Sequence, residues 1–133
     1  MKMTKERSRL LVTISLIFWV GLLVYLSGVP YLFIWTQGWL LRKLGHSVMY
    51  GILTLLIWIN FSYFTQRRFI RVLSCLCFVL LCSLYDEIHQ IFVPGRCGNI
   101  KGLFFDLIGM VFMLVAIHLS YWSSAKKTSA FNG

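Results

Sequence analysis

Asp86 and Glu87 are adjacent carboxylates set inside an apolar run. A charged side chain in hydrocarbon is costly unless it is paired or wetted, so such residues mark a polar site by default. Asp86, His89 and Gln90 stand at i, i+3 and i+4 and share one helical face. Glu87 lies about 100° round from Asp86 and points inward only if that helix is central. Lys43, His46 and Tyr50, at i, i+3 and i+7, share the face of an earlier helix, and Asp106 adds a third carboxylate near the start of a later one. Arg96, just past Pro94 and Gly95, carries a planar fork suited to phosphate or carboxylate. Asp86, Glu87 and His46 are therefore candidates for acid–base chemistry. Lys43, Tyr50, Gln90, Arg96 and Asp106 are candidates for binding. The plainer alternative is structural: an ion-pair network in which Arg96 and Lys43 face the carboxylates, with His46 and Tyr50 as packing groups.

The elements that position these residues follow from composition. The chain has 133 residues, of which 59% are hydrophobic and 13% charged. Its mean hydropathy is +0.78. Soluble domains average about 25% charged residues, so a water-soluble globule and a disordered chain are both excluded. Four apolar stretches, at about residues 10–27, 44–64, 70–93 and 102–122, each approach the roughly 20 residues needed to cross a bilayer. No period-two alternation of a membrane barrel is present. The expected fold is all-α: a four-helix transmembrane bundle forming a single domain over residues 1–133. The first stretch has a basic start, but it is longer than a usual signal-peptide core and no A-x-A-like site follows, so it reads as a retained helix.

Charge sets the expected orientation. Lys2, Lys5, Arg7 and Arg9 precede the first stretch; Arg67, Arg68 and Arg71 separate the second from the third; Lys126 and Lys127 follow the fourth. The positive-inside rule places both termini in the cytoplasm. The net charge of +9 thereby writes topology, and no nucleic-acid partner is expected. From Val72 to Tyr85 a helix rises only about 21 Å, short of the roughly 30 Å core. Asp86 and Glu87 therefore lie about two-thirds of the way across. Lys43, His46, His89, Gln90, Arg96 and Asp106 fall at the same outer-leaflet level. Three of the four acidic residues belong to this group, and Glu6 is the fourth.

Other polar and reactive residues carry less. Cys75, Cys77 and Cys82 share the third stretch and Cys97 stands alone in a loop, so neither a disulfide framework nor a zinc site is expected. No H-x-x-x-H or H-E-x-x-H spacing occurs, and no metal or cofactor is expected. His118 reads as interfacial. Tyr31, Trp35, Trp39, Trp58, Tyr121 and Trp122 read as aromatic belts, and Gly51 and Gly109 as points of close helix approach.

The block Asp86-Glu87-Ile88-His89-Gln90-Ile91-Phe92-Val93-Pro94-Gly95-Arg96 resembles the D-E-x-x-Q-x-F-x-P-x-R signature of the VanZ-like family of bacterial membrane proteins. Lys43-x-x-His46-x-x-x-Tyr50 resembles its second motif, and Asp106 with Gly109 its D/N-x-x-G element. The resemblance spans about residues 10–113. His89 falls on no fixed motif position. Members usually carry Asp at the sixth position after the motif arginine; here that position is Gly102, which removes one carboxylate from the family's cluster.

The resemblance implies a multi-pass protein of the bacterial plasma membrane. It also implies an association with resistance to teicoplanin rather than vancomycin, which is the association of the founding member. It supplies no biochemical mechanism. Chemistry favours an outer-leaflet site for membrane lipids, a lipid-linked envelope component or the glycopeptide itself, because teicoplanin bears an acyl chain and vancomycin does not. The alternative is an integral membrane enzyme acting on a lipid-linked envelope substrate by carboxylate/His acid–base chemistry.

Overall fold

The computed structural model describes residues 2–28, 39–93 and 101–131 in backbone, and side chains over 4–28, 43–93 and 101–123. Four helices account for nearly all of this: α1 (Lys2–Gly28), α2 (Trp39–Ser62), α3 (Arg68–Ile91) and α4 (Lys101–Phe131). No strand occurs among the described residues. Within them, Thr4–Gly28, Lys43–Ser62, Arg68–Ile91 and Lys101–Ser123 are each long and apolar enough to cross a membrane. Each helix begins before its apolar stretch, α1 back through its basic start, and α4 continues to Phe131, whereas α2 and α3 stop two residues short of the expected ends at 64 and 93. Backbone hydrogen bonding is satisfied within a helix whatever surrounds it, so polar flanking residues continue the helix into the interface. Pro94, Gly95, Arg96, Cys97, the segment holding Tyr31 and Trp35, and the side chains of Trp39, Arg42, Lys126 and Lys127 lie outside the described residues.

α2 and α3 are central. α2 packs most extensively on α4 and also meets α3 and α1, while α3 meets all three other helices. The fully enclosed core is Tyr50, Leu53, Ile57, Cys75 and Val79, with Trp58 and Met110 nearly so. Apolar side chains such as Phe18, Phe69, Leu81, Phe92, Phe104 and Phe112 face outward instead. α3 makes the inversion plain. Its buried stripe is Arg71, Cys75, Val79, Ser83, Asp86, Glu87 and Gln90, spaced mostly by four, and Leu73, Phe78, Leu81, Leu84 and Ile88 are exposed. A helix with polar groups inside and apolar groups outside is arranged for hydrocarbon, where burying apolar surface against protein gains little.

Close backbone approach joins α2 to α4. Ser47 donates to the Phe105 carbonyl across the interface at 2.7 Å. A Cβ on Gly109 would overlap the backbone of Ser47, and one on Gly51 would press on the Gly109 carbonyl at 3.3 Å. Ser47-x-x-x-Gly51 thus faces Phe105-x-x-x-Gly109, a small-residue seam of the kind that lets membrane helices touch. α1 is pinned to α2 by two bonds: Trp19 Nε1 donates to the Met49 carbonyl at 3.0 Å, and Asn60 Nδ2 to Thr13 Oγ1 at 2.9 Å.

Gly109→Ala should cost about 1–3 kcal/mol through enforced separation of α2 and α4, read as a lowered unfolding midpoint in detergent. Gly21, whose added Cβ would meet nothing within 4 Å, is the control. Gly21→Ala should stay within about 0.5 kcal/mol of wild type or exceed it.

Candidate functional site

The helix faces defined by spacing converge at one end of the bundle. His46 of α2 lies between two carboxylates. Its Nδ1 is 3.4 Å from Asp106 Oδ1 of α4 and 3.8 Å from Asp86 Oδ2 of α3. Three helices therefore meet at one imidazole. Each residue stands within about two turns of the start or end of its span, which is why they share a level. The Tyr50 ring stacks on His46 with centroids 6.4 Å apart and planes 14° from parallel. That is the i, i+4 contact expected along one helix.

The carboxylates are held in different ways. Asp106 is fully buried, and Ser83 of α3 donates a very short hydrogen bond to its Oδ2. Its other oxygen faces His46 and has no hydrogen-bond partner among the described residues. Asp86 accepts from Gln90 Nε2 one turn along α3 at 2.8 Å, and Ser27 of α1 lies beside it without the geometry of a hydrogen bond. Tyr50 Oη is likewise buried without a partner.

Glu87 turns to a second subsite. Asp86 and Glu87 are both buried, at 7% and 8% exposure, because α3 is covered on several sides. The Glu87 carboxylate occupies the volume that a Cβ at Gly102 would fill, and Lys43 Nζ lies 3.0 Å from the same point. Lys43 also sits over the Phe105 ring at 5.9 Å. Gly102 thus gives Glu87 and Lys43 room to share one corner. The space at this position of α4 is taken by a carboxylate reaching in from α3.

The expected opposition of Lys43 and Arg96 to Asp86, Glu87 and Asp106 is accordingly divided. His46 serves Asp86 and Asp106, Lys43 stands near Glu87, and Arg96 lies outside the described residues. His89 shares its helix face with Asp86 but not its contacts. It stacks on Tyr85 at 5.9 Å and meets α1 at Gly28. His118 is exposed farther along α4. Among the described residues no group of three or more His, Cys, Asp or Glu is arranged to hold a metal ion.

Sequence reasoning missed Ser83 and Ser27. Ser83, Asp86 and Gln90 stand at i, i+3 and i+7, so helical spacing carries a signal for Ser83. Ser27, at the end of another helix, carried none.

This arrangement defines a multi-pass helical membrane protein with a carboxylate–imidazole cluster at one end of its bundle. A family profile described as VanZ/LLP1 matches residues 2–121, and the chain belongs to that family. Neither the curated proteins nor the solved structures yield a match.

If Ser83 and Asp106 act as a unit, their substitutions will not add. Ser83→Ala and Asp106→Asn should each cost about 1–3 kcal/mol. The double variant should cost less than the two combined by at least about 0.5 kcal/mol. Equilibrium unfolding in detergent measures the cycle, and simple additivity would show that the two do not act as a unit.

Proposed function

We propose that this VanZ/LLP1 protein works in the bacterial plasma membrane, with its carboxylate–imidazole end in the outer leaflet and both termini cytoplasmic. The cluster would receive the polar part of an amphiphile whose tail lies along the apolar outer faces of the helices. A lipid-linked envelope component or an acylated glycopeptide meets that description, and binding either would contribute to teicoplanin tolerance. The observation that carries this reading is the clasp of His46 between Asp86 and Asp106 within an apolar bundle. Asp106 is sealed, while the His46 side chain keeps 22% of its surface exposed. A reachable imidazole backed by hidden carboxylates suits a ligand's hydroxyl, amide or phosphate group. Lys43, beside Glu87, would add a cationic donor.

The same contact favours a second reading. An imidazole whose Nδ1 faces carboxylates is fixed in orientation, with Nε2 left for proton transfer. His46 would then be the general base of an integral membrane enzyme acting on a lipid-linked substrate, with Asp86 and Glu87 assisting. Ser83 does not complete a nucleophilic triad, since its hydroxyl is bonded to Asp106 and not to His46.

Teicoplanin and vancomycin susceptibility in a sensitive Gram-positive host tests the proposal, using empty vector, wild type, His46→Gln and Glu87→Gln at matched membrane abundance. Wild type should raise the teicoplanin threshold alone. Each variant should remove most of that gain, about tenfold for the loss of about 1.4 kcal/mol of binding. Wild type that accumulates without altering either threshold would refute the resistance role. Turnover of a lipid-linked substrate that His46→Gln abolishes while binding persists would establish the enzyme reading.

A further inference from the structure

The opposite end of the bundle carries a group of arginines that the carboxylate site does not use. α3 begins at Arg68, its N-cap is Arg67, and Arg71 lies in the first turn. No acidic residue occurs in that turn, and the cap makes no side-chain hydrogen bond. Unsatisfied backbone N–H groups and the positive end of the helix dipole therefore coincide with three guanidinium groups. That is the reverse of the usual charge preference at a helix start.

The guanidinium groups are also held in place. Arg71, only 5% exposed, donates from Nε to the Thr65 carbonyl at 2.9 Å and from Nη2 to Gln66 Oε1 at 3.0 Å. It lies over the Trp58 ring at 5.3 Å, and Arg68 lies over Tyr121 at 5.2 Å. Trp58 and Tyr121 touch each other, with centroids 6.5 Å apart. The two arginines, at i and i+3, thus leave the same side of α3 onto one aromatic pair. Arg9 of α1 caps the adjoining turn by lying over Phe64 at 4.3 Å. Among the described residues none of these arginines is paired with a carboxylate. The chain's acidic residues are Asp86, Glu87 and Asp106, all at the other end, and Glu6, which is exposed on α1.

A buried guanidinium with a second beside it, no acidic partner and a helix N-terminus behind both calls for an external anion. Depth identifies its source. Arg68 opens the α3 span, and Tyr121 lies just inside the end of the α4 span at Ser123. The groups therefore sit at the level of lipid head groups, where anionic phospholipids present phosphodiesters.

We propose that Arg68 and Arg71, braced on Trp58 and Tyr121, form a binding site for the phosphodiester of an anionic phospholipid. Arg71, its Nε and Nη2 held by Thr65 and Gln66, is the fixed cation of the site, and the exposed Arg68 supplies the fork that closes on the lipid. The site is separate from the carboxylate cluster and does not depend on the function of that cluster.

The full chain in neutral detergent tests this by its unfolding midpoint during titration with phosphatidylglycerol, phosphatidylcholine or inorganic phosphate. Phosphatidylglycerol should raise the midpoint saturably, and the other two should not. Arg68→Gln should keep the lipid-free midpoint and weaken the apparent affinity for phosphatidylglycerol about fivefold or more. Arg71→Lys, which keeps charge but loses the two bonds to Thr65 and Gln66 that fix it, should weaken it too. Arg7→Gln removes one charge from an exposed site with no aromatic support and should leave the response intact. An equal response to phosphatidylcholine or to free phosphate would overturn the assignment to an anionic lipid. Equal weakening by Arg7→Gln and Arg68→Gln would reduce the effect to net charge and overturn the site. An unchanged affinity in Arg68→Gln would do the same.

Discussion

Everything at one end of this protein depends on keeping carboxylates inside an apolar bundle. Each ionised carboxylate taken from water costs several kcal/mol that only close partners offset. The chain supplies those partners from different helices. His46 of α2 bridges Asp86 of α3 and Asp106 of α4, Ser83 donates back across to Asp106, and Gln90 caps Asp86 from within α3. Removing α2 would take the imidazole from both acids, and removing α3 would take Ser83 from Asp106. The polar cluster therefore binds the helices together as well as offering a site.

That arrangement requires the helices to come unusually close. Lipid tails are as apolar as leucine, so association relies on packing and interhelical hydrogen bonds. Gly109 lies against the Ser47 backbone, and Ser47 bonds to the Phe105 carbonyl. This seam brings His46 and Asp106, one residue before Ser47 and one after Phe105, into reach of each other. Gly102, about two turns before Gly109 on α4, leaves the space that the Glu87 carboxylate takes. Gly109 leaves room for the facing backbone, and Gly102 for an acid.

The two ends of the bundle divide the charge. One gathers Asp86 and Asp106 around His46, and the other gathers Arg68, Arg71 and Arg9 against Tyr121, Trp58 and Phe64. α3 spans both, with Arg71 near its start and Asp86 and Glu87 near its end on one buried stripe. A single helix thus carries a cation to one face of the membrane and two acids to the other. The apolar core of Leu53, Ile57, Cys75 and Val79 between them keeps these charges from neutralising each other.

The sequence by itself determined the class of fold, because apolar stretches of spanning length admit little but helices in a membrane. It also determined the level of the site, because rise per residue converts position along a helix into depth. Spacing placed His46 with Tyr50 and Asp86 with Gln90, since faces of one helix are periodic. Spacing within one helix cannot report how neighbouring helices are rotated or offset. Only the tertiary structure decided that His46 takes Asp86 and Asp106 while Lys43 stands by Glu87. It alone drew Ser27 and Ser83 toward the acids, left His89 aside on Tyr85, and filled the space at Gly102 with a carboxylate from another helix. Those choices rest on side-chain volume at the contacts between helices, which becomes defined when the backbones meet.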